Sequence, residues 1–224
     1  MDFEDTPLFD LDLNLDQMFE VPAELKDFDR EITQEEIESA GNGAFVAWLQ
    51  ARLKNQFVTT PAPLITTACE EEAEMPDDQL ATFGETKVRA NFFPEFPDAE
   101  DYHDGEANLE YRRLTHEADL GVAYAKIACD SCPIRQDCLN SSIVNFEEYG
   151  VWGGWSAGAR GYIHEHFKYL KKQYIAFEKY QNSADFDETS EEFQSRLAFW
   201  ADFMQPAKAD LKASAEAKDS ALVG

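Results

Sequence analysis

Positive charge is scarce in this sequence: 19 Lys and Arg stand against 45 Asp and Glu in 224 residues, a formal net charge of -26. So acidic a surface repels nucleic acid over most of its area, because phosphate binding depends on clustered Lys and Arg that release counterions. Contact with DNA must then be local, or delivered through a partner. Long apolar runs are missing, and the N-terminus is acidic rather than basic-then-apolar, so neither a membrane span nor a signal peptide is expected and the cytoplasm is the expected location. Cysteine is sparse, at four residues. In a reducing compartment, four thiols spread over so long a chain are read as metal ligands or redox groups before structural disulfides. Convincing strand alternation and internal repeats are also lacking, so the expected class is mainly α.

What is present divides the chain into five stretches. Residues 1–30 alternate acidic and large apolar residues (Phe3-Glu4-Asp5, Leu8-Phe9-Asp10-Leu11-Asp12-Leu13, Met18-Phe19-Glu20) with little helical period, the composition of an acidic disordered tail. Such a tail either docks on a basic surface of a partner or only solubilises the chain. Over residues 31–65, Thr33 and Glu36 make a capping box, and Phe45, Trp48, Leu49, Leu53 and Phe57 recur at helical spacing after a Gly41-Asn42-Gly43 break. One or two short helices are expected there, with Trp48 as a packing residue, then a linker holding Pro61 and Pro63.

Residues 66–170 hold all four cysteines. Acidic runs and prolines between Glu70 and Glu106 read mostly as loop, except around residues 78–90. A helix then leads to Cys129, although Gly121 weakens its middle. A second is expected from Pro133, a residue suited to the first helical position, to about Phe146, and Ser156 is placed to cap a third that reaches about Tyr180. In the C-terminal helical extension, residues 171–205, Thr189 and Glu192 form a second capping box ahead of Phe193, Leu197, Trp200 and Met204. Pro206 is expected to end that helix, leaving residues 206–224 as a frayed tail.

Cys129-Asp130-Ser131-Cys132 is a CxxC, Cys138 follows after five residues, and Cys69 lies far upstream. Cys132 immediately precedes Pro133, so the expected helix start would favour a thiolate there through its free N–H groups. Four thiolates suit a tetrahedral zinc ion or a cubane iron-sulfur cluster. A single CxxC with a third cysteine six residues on fits the paired knuckles of zinc sites poorly, which favours iron-sulfur.

Beyond the cysteines, Asn91-Phe92-Phe93-Pro94-Glu95 precedes the CxxC, and Gly150-Val151-Trp152-Gly153-Gly154 follows Cys138. Cys129-x2-Cys132-x5-Cys138 with these two motifs, in this order, resembles the signature of the WhiB-like transcription regulators of actinobacteria and their phages; Ser156 and Arg160 resemble the polar start of that family's next helix. The resemblance covers roughly residues 66–170. It implies a small helical bundle around a 4Fe-4S cluster held by Cys69, Cys129, Cys132 and Cys138, responsive to nitric oxide or oxygen. It also implies a non-enzymatic role, binding region 4 of the primary sigma factor of RNA polymerase through Phe92, Phe93, Pro94, Gly150, Val151, Trp152, Gly153, Gly154 and Trp155. The glycines of that motif permit a tight turn with positive φ, which would hold Trp152 outward as an interface anchor.

Two departures from the family stand out. The segments from Cys69 to Phe92 and from Phe93 to Cys129 are long, but loop closure costs only about 0.6 kcal/mol per doubling of length. The tail after the turn has no arginine-rich hook: Arg160, His164, His166, Lys168, Lys171, Lys172 and Lys179 are interrupted by Glu165 and Glu178, and the lysines read as a solvated helix face rather than a DNA-binding one. All four histidines, His103, His116, His164 and His166, are read as structural or exposed. Two other functions compete with the resemblance. One is a protein disulfide reductase built on Cys129 and Cys132, which lacks the expected strand-then-helix setting and leaves Cys69 and Cys138 unexplained; the other is a zinc-stabilised interaction module.

Overall fold

A computed structural model describes residues 32–60, 67–76, 80–83, 86–98 and 105–222. The acidic stretch of residues 1–30, Pro61, Pro63 and His103 lie outside the described residues. Within them the chain is mainly α, as its patterning predicts: α1 Gln34–Leu53, α2 Ala68–Glu74, α3 Gly105–Asp130, α4 Arg135–Asn145, α5 Ala157–Gln181 and α6 Glu191–Leu222. An antiparallel pair, β1 Ala81–Phe83 and β2 Thr86–Val88, with Ala81 opposite Val88, falls in the stretch around residues 78–90 that the sequence sets apart from the surrounding loop, although no strand alternation marks it.

The Thr33–Glu36 capping box starts α1: the Thr33 hydroxyl accepts the Glu36 N–H at 3.2 Å, and the Glu36 carboxylate accepts the Thr33 N–H at 2.9 Å. Gly41-Asn42-Gly43 does not break this helix. A Cβ on Gly41 would lie 2.5 Å from His166 Cδ2, and Asn42 Oδ1 lies 3.0 Å from His166 Nε2, so the glycine lets α1 and α5 approach closely. Tertiary contact thereby outweighs the helix-breaking tendency of glycine, about 1 kcal/mol each.

The main core lies between α1, α4, α5 and α6. Phe45 is fully buried, with its ring 5.2–5.8 Å from those of Trp48, Tyr174, Trp200 and Phe203. Leu139, Ile143, Ile163, Phe167 and Leu170 extend this core along α4 and α5. Trp48 packs against it, as its spacing predicts, and Arg52 and Lys171 sit 5.3 and 5.4 Å from its ring.

The last helix differs from expectation at both ends. Its first turn is capped by Ser190, whose hydroxyl accepts the Phe193 N–H at 3.2 Å, while Thr189 bonds to Asp187. Pro206 lies inside α6, which continues to Leu222. The lost backbone bond is tolerated because the turn beyond is anchored: Ala207 is fully buried, and Asp210 pairs with Lys54 at the end of α1. Gly121, in the middle of α3, also has a packing reason: an added Cβ would lie 2.8 Å from that of Asn91, whose N–H donates to the Gly121 carbonyl at 2.8 Å.

Candidate functional site

Four elements converge on the cysteines. Cys129 is in the last turn of α3, Cys132 lies in the turn that follows, Cys138 is in the first turns of α4, and Cys69 is in α2. The turn after α3 is closed by Cys132 N–H to Cys129 O and Arg135 N–H to Cys132 O, both 3.1 Å. α4 therefore begins at Arg135, two residues later than Pro133, because Cys132 and Pro133 are spent on that turn. Upstream, Thr67 starts α2 by donating its N–H and hydroxyl to Glu70, at 2.8 and 2.9 Å, and its Oγ1 lies 3.2 Å from Cys69 Sγ. The bonds from Thr67 hold the Glu70 carboxyl below its usual range.

All four are free thiols: Cys129 is buried, Cys132 and Cys138 half-buried, and Cys69 exposed. They share one electrostatic neighbourhood. Cys138 lies in the fields of Cys132 and Cys69, and Cys129 in those of Cys138 and Cys132. Burial pushes the Cys129 thiol up to about 11, against the N–H of Gly154 and the more distant charge of Arg135, which favour the thiolate. Burial likewise raises Cys138, opposed by the N–H of Gly153 and by Arg160. Among the described residues, no group of three or more Cys, His, Asp or Glu side chains closes tightly enough to hold a metal ion.

The glycine motif forms the wall beside these thiols. Trp152 and Trp155 exchange two backbone bonds of 3.0 Å across Gly153 and Gly154, whose φ values of 57° and 84° give the positive-φ pair of a tight type I′ turn. Gly150, at φ 78°, has Phe92 and Phe93 against it: a Cβ there would lie 2.7 Å from the Phe93 ring and 2.8 Å from the Phe92 carbonyl. The Val151 N–H donates to that same carbonyl at 2.6 Å, and the rings of Phe93 and Trp152 meet edge to face at 6.0 Å. The two aromatic motifs, nearly sixty positions apart in sequence, thus form one surface.

Its members differ in exposure. Phe93 is 61% exposed and Trp152 half-buried, with its indole N–H donated to the Tyr149 carbonyl at 2.8 Å. Val151 is buried in a small core with Ala125 and Cys129, against which Phe92 packs, and Trp155 turns toward the main core. Tyr149 and Phe96, which sequence patterning does not single out, are exposed beside these motifs at 78% and 52%. A cavity of about 410 Å³ opens between Phe96, Val151, Leu120 and Lys126 of α3 and the first turn of α5.

Arg160 stands apart from the solvated lysines of α5. It is fully buried, and its guanidinium donates to the carbonyls of Glu147, Tyr149, Gly150 and Trp155 at 2.8, 2.8, 2.5 and 2.9 Å. Burial pulls its pKa down to about 10, still far above neutrality, so it remains a cation. Arg135 braces the other side of the turn, donating to the Gly153 carbonyl at 3.1 Å while paired with Asp130 of the CxxC at 2.6 Å. No sequence spacing marks either role, because the acceptors are mostly backbone carbonyls. The described histidines follow the sequence reading: His164 packs tilted against Phe146 at 5.3 Å, His166 joins α1, and His116 is half-buried in α3.

Residues 103–163 match the family model described as Transcription factor WhiB. Two relatives from Mycobacterium tuberculosis also match: a "Probable transcriptional regulator WhiB7", 45% identical over 38 residues, and a "Transcriptional regulator WhiB1", 38% identical over 39 residues. Each match covers 17% of this chain, and 41% and 46% of the respective relative, so the chain spans less than half the length of the curated relatives it matches. No solved structure matches. The matched segment, residues 103–163, carries three of the four cysteines, the glycine turn and Arg160, and over it the chain is similar to the WhiB transcription factor family.

Proposed function

We propose that this chain is a non-enzymatic cytoplasmic transcription regulator in which Cys69, Cys129, Cys132 and Cys138 hold a 4Fe-4S cluster. Its surface of Phe92, Phe93, Pro94 and the Gly150–Trp155 turn then meets region 4 of the primary sigma factor. One observation carries the reading: the N–H groups of Gly154 and Gly153 lie where they favour the thiolates of Cys129 and Cys138, so the turn that displays Trp152 stands against the thiols. The donor set fits an iron-sulfur group, with four sulfurs, backbone N–H groups aimed at two of them, and Arg135 and Arg160 to offset thiolate charge. Bound there, the cluster would supply redox chemistry and reactivity toward oxygen or nitric oxide.

The protein's own residues do the rest. Phe92 and Val151 exclude water beside Cys129, while Arg160 and Arg135 fix the turn from opposite sides. Trp152, half-buried and bonded through its indole N–H, is held in one orientation for a partner at little cost in side-chain entropy. Because the chain is so acidic, DNA is reached through the sigma complex.

Anaerobic purification tests the cofactor. A brown protein with about four irons per chain is expected, whereas a colourless protein with stoichiometric zinc would overturn it. For the partner, Trp152→Ala is expected to weaken binding of sigma region 4 about 30-fold, as loss of a central tryptophan anchor does. Unchanged affinity removes Trp152 from the interface.

A further inference from the structure

The buried side of α5 is formed by Arg160, Ile163, Phe167, Leu170, Tyr174 and Phe177. At 3.6 residues per turn, the opposite side is an arc of about 140° holding Tyr162, Lys168, Tyr169, Lys172, Ile175 and Lys179. All six are exposed, the two tyrosines at 65% and 59% and Ile175 at 45%. No described part of the chain packs on the start of this arc: a Cβ added to Gly158 or Gly161 would meet nothing within 4 Å. In a chain of net charge -26, a helix face that interleaves three lysines with tyrosines and an isoleucine, and carries a single acid, Glu165, paired with Lys168 at 2.7 Å, is an anomaly. Solvation alone calls for the lysines but not for the large apolar groups between them.

We infer that this face is the docking site of the chain's own acidic N-terminal segment, residues 1–31. The segment is complementary in both respects. It holds eleven carboxylates against two basic side chains, and between them Phe3, Leu8, Phe9, Leu11, Leu13, Leu15, Met18 and Phe19. It also begins in the right place. α1 runs alongside α5 in the same direction, with Gly41 against His166, Trp48 beside Lys171, and Arg52 paired with Glu178 at 2.7 Å. The start of α1, and with it the root of the segment, is therefore delivered to the N-terminal half of α5, where Tyr162 is exposed. Thirty-one residues span up to roughly 100 Å when extended, at about 3.3 Å each. The face from Tyr162 to Lys179 is about 26 Å long, at 1.5 Å rise per residue, so reach is not limiting.

The consequence is a shielded surface. While the segment is docked, the one lysine-rich helix face of the described residues is withheld from anionic partners. A partner that competes for either the lysines or the segment releases the other. This inference does not depend on whether the cysteines hold iron or zinc.

The test uses the full chain at low concentration, with a carbodiimide that joins carboxylates directly to lysine amines, followed by mass spectrometry. Cross-links from residues 1–31 are expected to fall mainly on Lys168, Lys172 and Lys179. They should drop about fivefold in the exposed-site variant Lys172→Glu/Lys179→Glu, measured at Lys168, as loss of two surface ion pairs implies. They should also be lost in about 1 M salt, where the Debye length is about 3 Å. Cross-links spread evenly over Lys54, Lys208 and Lys212 as well would overturn the inference. So would links that join isotopically distinct copies in a mixed sample, which would put the segment on a second chain. Equal binding of a DNA duplex through these lysines, with the carboxylates of residues 1–31 intact or converted to amides, would assign the face to nucleic acid instead.

Discussion

Arg160→Met separates a structural clamp from a surface cation. The guanidinium satisfies four carbonyls of the segment 147–155. Glu147 and Tyr149 are exposed, so their carbonyls regain water when the donor is removed; Gly150 is buried and Trp155 half-buried, so theirs do not. Two unpaired acceptors at roughly 1–3 kcal/mol each, partly offset by no longer burying a charge, give a net loss of about 3 kcal/mol. For a chain of this size that lowers Tm by about 6–12 °C. Thermal unfolding followed by circular dichroism measures the global loss, and amide exchange at Val151, Gly153 and Gly154 locates it in the turn. Arg160→Lys should fall between the two, since one ammonium keeps the charge but cannot span four acceptors. A variant Arg160→Met within about 2 °C of the parent, with unchanged exchange in the turn, would refute the clamp.

Gly150→Ala should cost about 2 kcal/mol or more, from its positive φ and a Cβ that would meet the Phe92 carbonyl at 2.8 Å, whereas helical Gly158→Ala, with open space around it, should be neutral or stabilise by about 0.5–1 kcal/mol; chemical denaturation distinguishes them, and equal effects would refute the steric argument. Burial holds His164 below the ordinary histidine pKa, so the unfolded chain takes up its proton first as pH falls. Stability is therefore full above about pH 6.5 and lost below it. His164→Gln should flatten that slope between about pH 7 and 5.5, leaving the contribution of His116, which has the same sign; an unchanged slope would remove His164 from it. Phe45→Ala, at a fully buried site ringed by four aromatic side chains, should cost about 3–5 kcal/mol in a urea titration, and a loss under about 1 kcal/mol would mean that α1 is dispensable to the core.

Features governed by local chemistry were legible in the sequence, and features governed by tertiary contact were not. The Thr33–Glu36 capping box could be read because its partners are three residues apart, and the Gly150–Gly154 turn because only glycine takes positive φ at no steric cost. The thiol spacing led to four cysteines that share one neighbourhood. By contrast, Gly41 and Gly121 look like helix breakers until His166 and Asn91 are seen against them. Pro206 looks like a stop until Ala207 and Asp210 are found anchored beyond it. Arg160 sits in a run of cations, and nothing in its spacing tells that four backbone carbonyls, 5 to 13 positions upstream, converge on it.

The two cores are not independent, and this gives the terminal extensions a mechanical role. α5 carries Arg160, which holds the turn beside the cysteines, and one and two turns later Ile163 and Phe167, which are buried in the main core. α4 is shared in the same way: Cys138 faces Gly153, while the next residue, Leu139, is in the main core and lies 2.7 Å from where a Gly153 Cβ would stand. Close-packed interiors transmit displacement instead of absorbing it. A shift of α1 or α6 against α5 therefore moves Arg160 and the four carbonyls it binds, and the aromatic surface of Phe93 and Trp152 moves with them. The extensions flanking the family segment are in this way part of what positions its glycine turn.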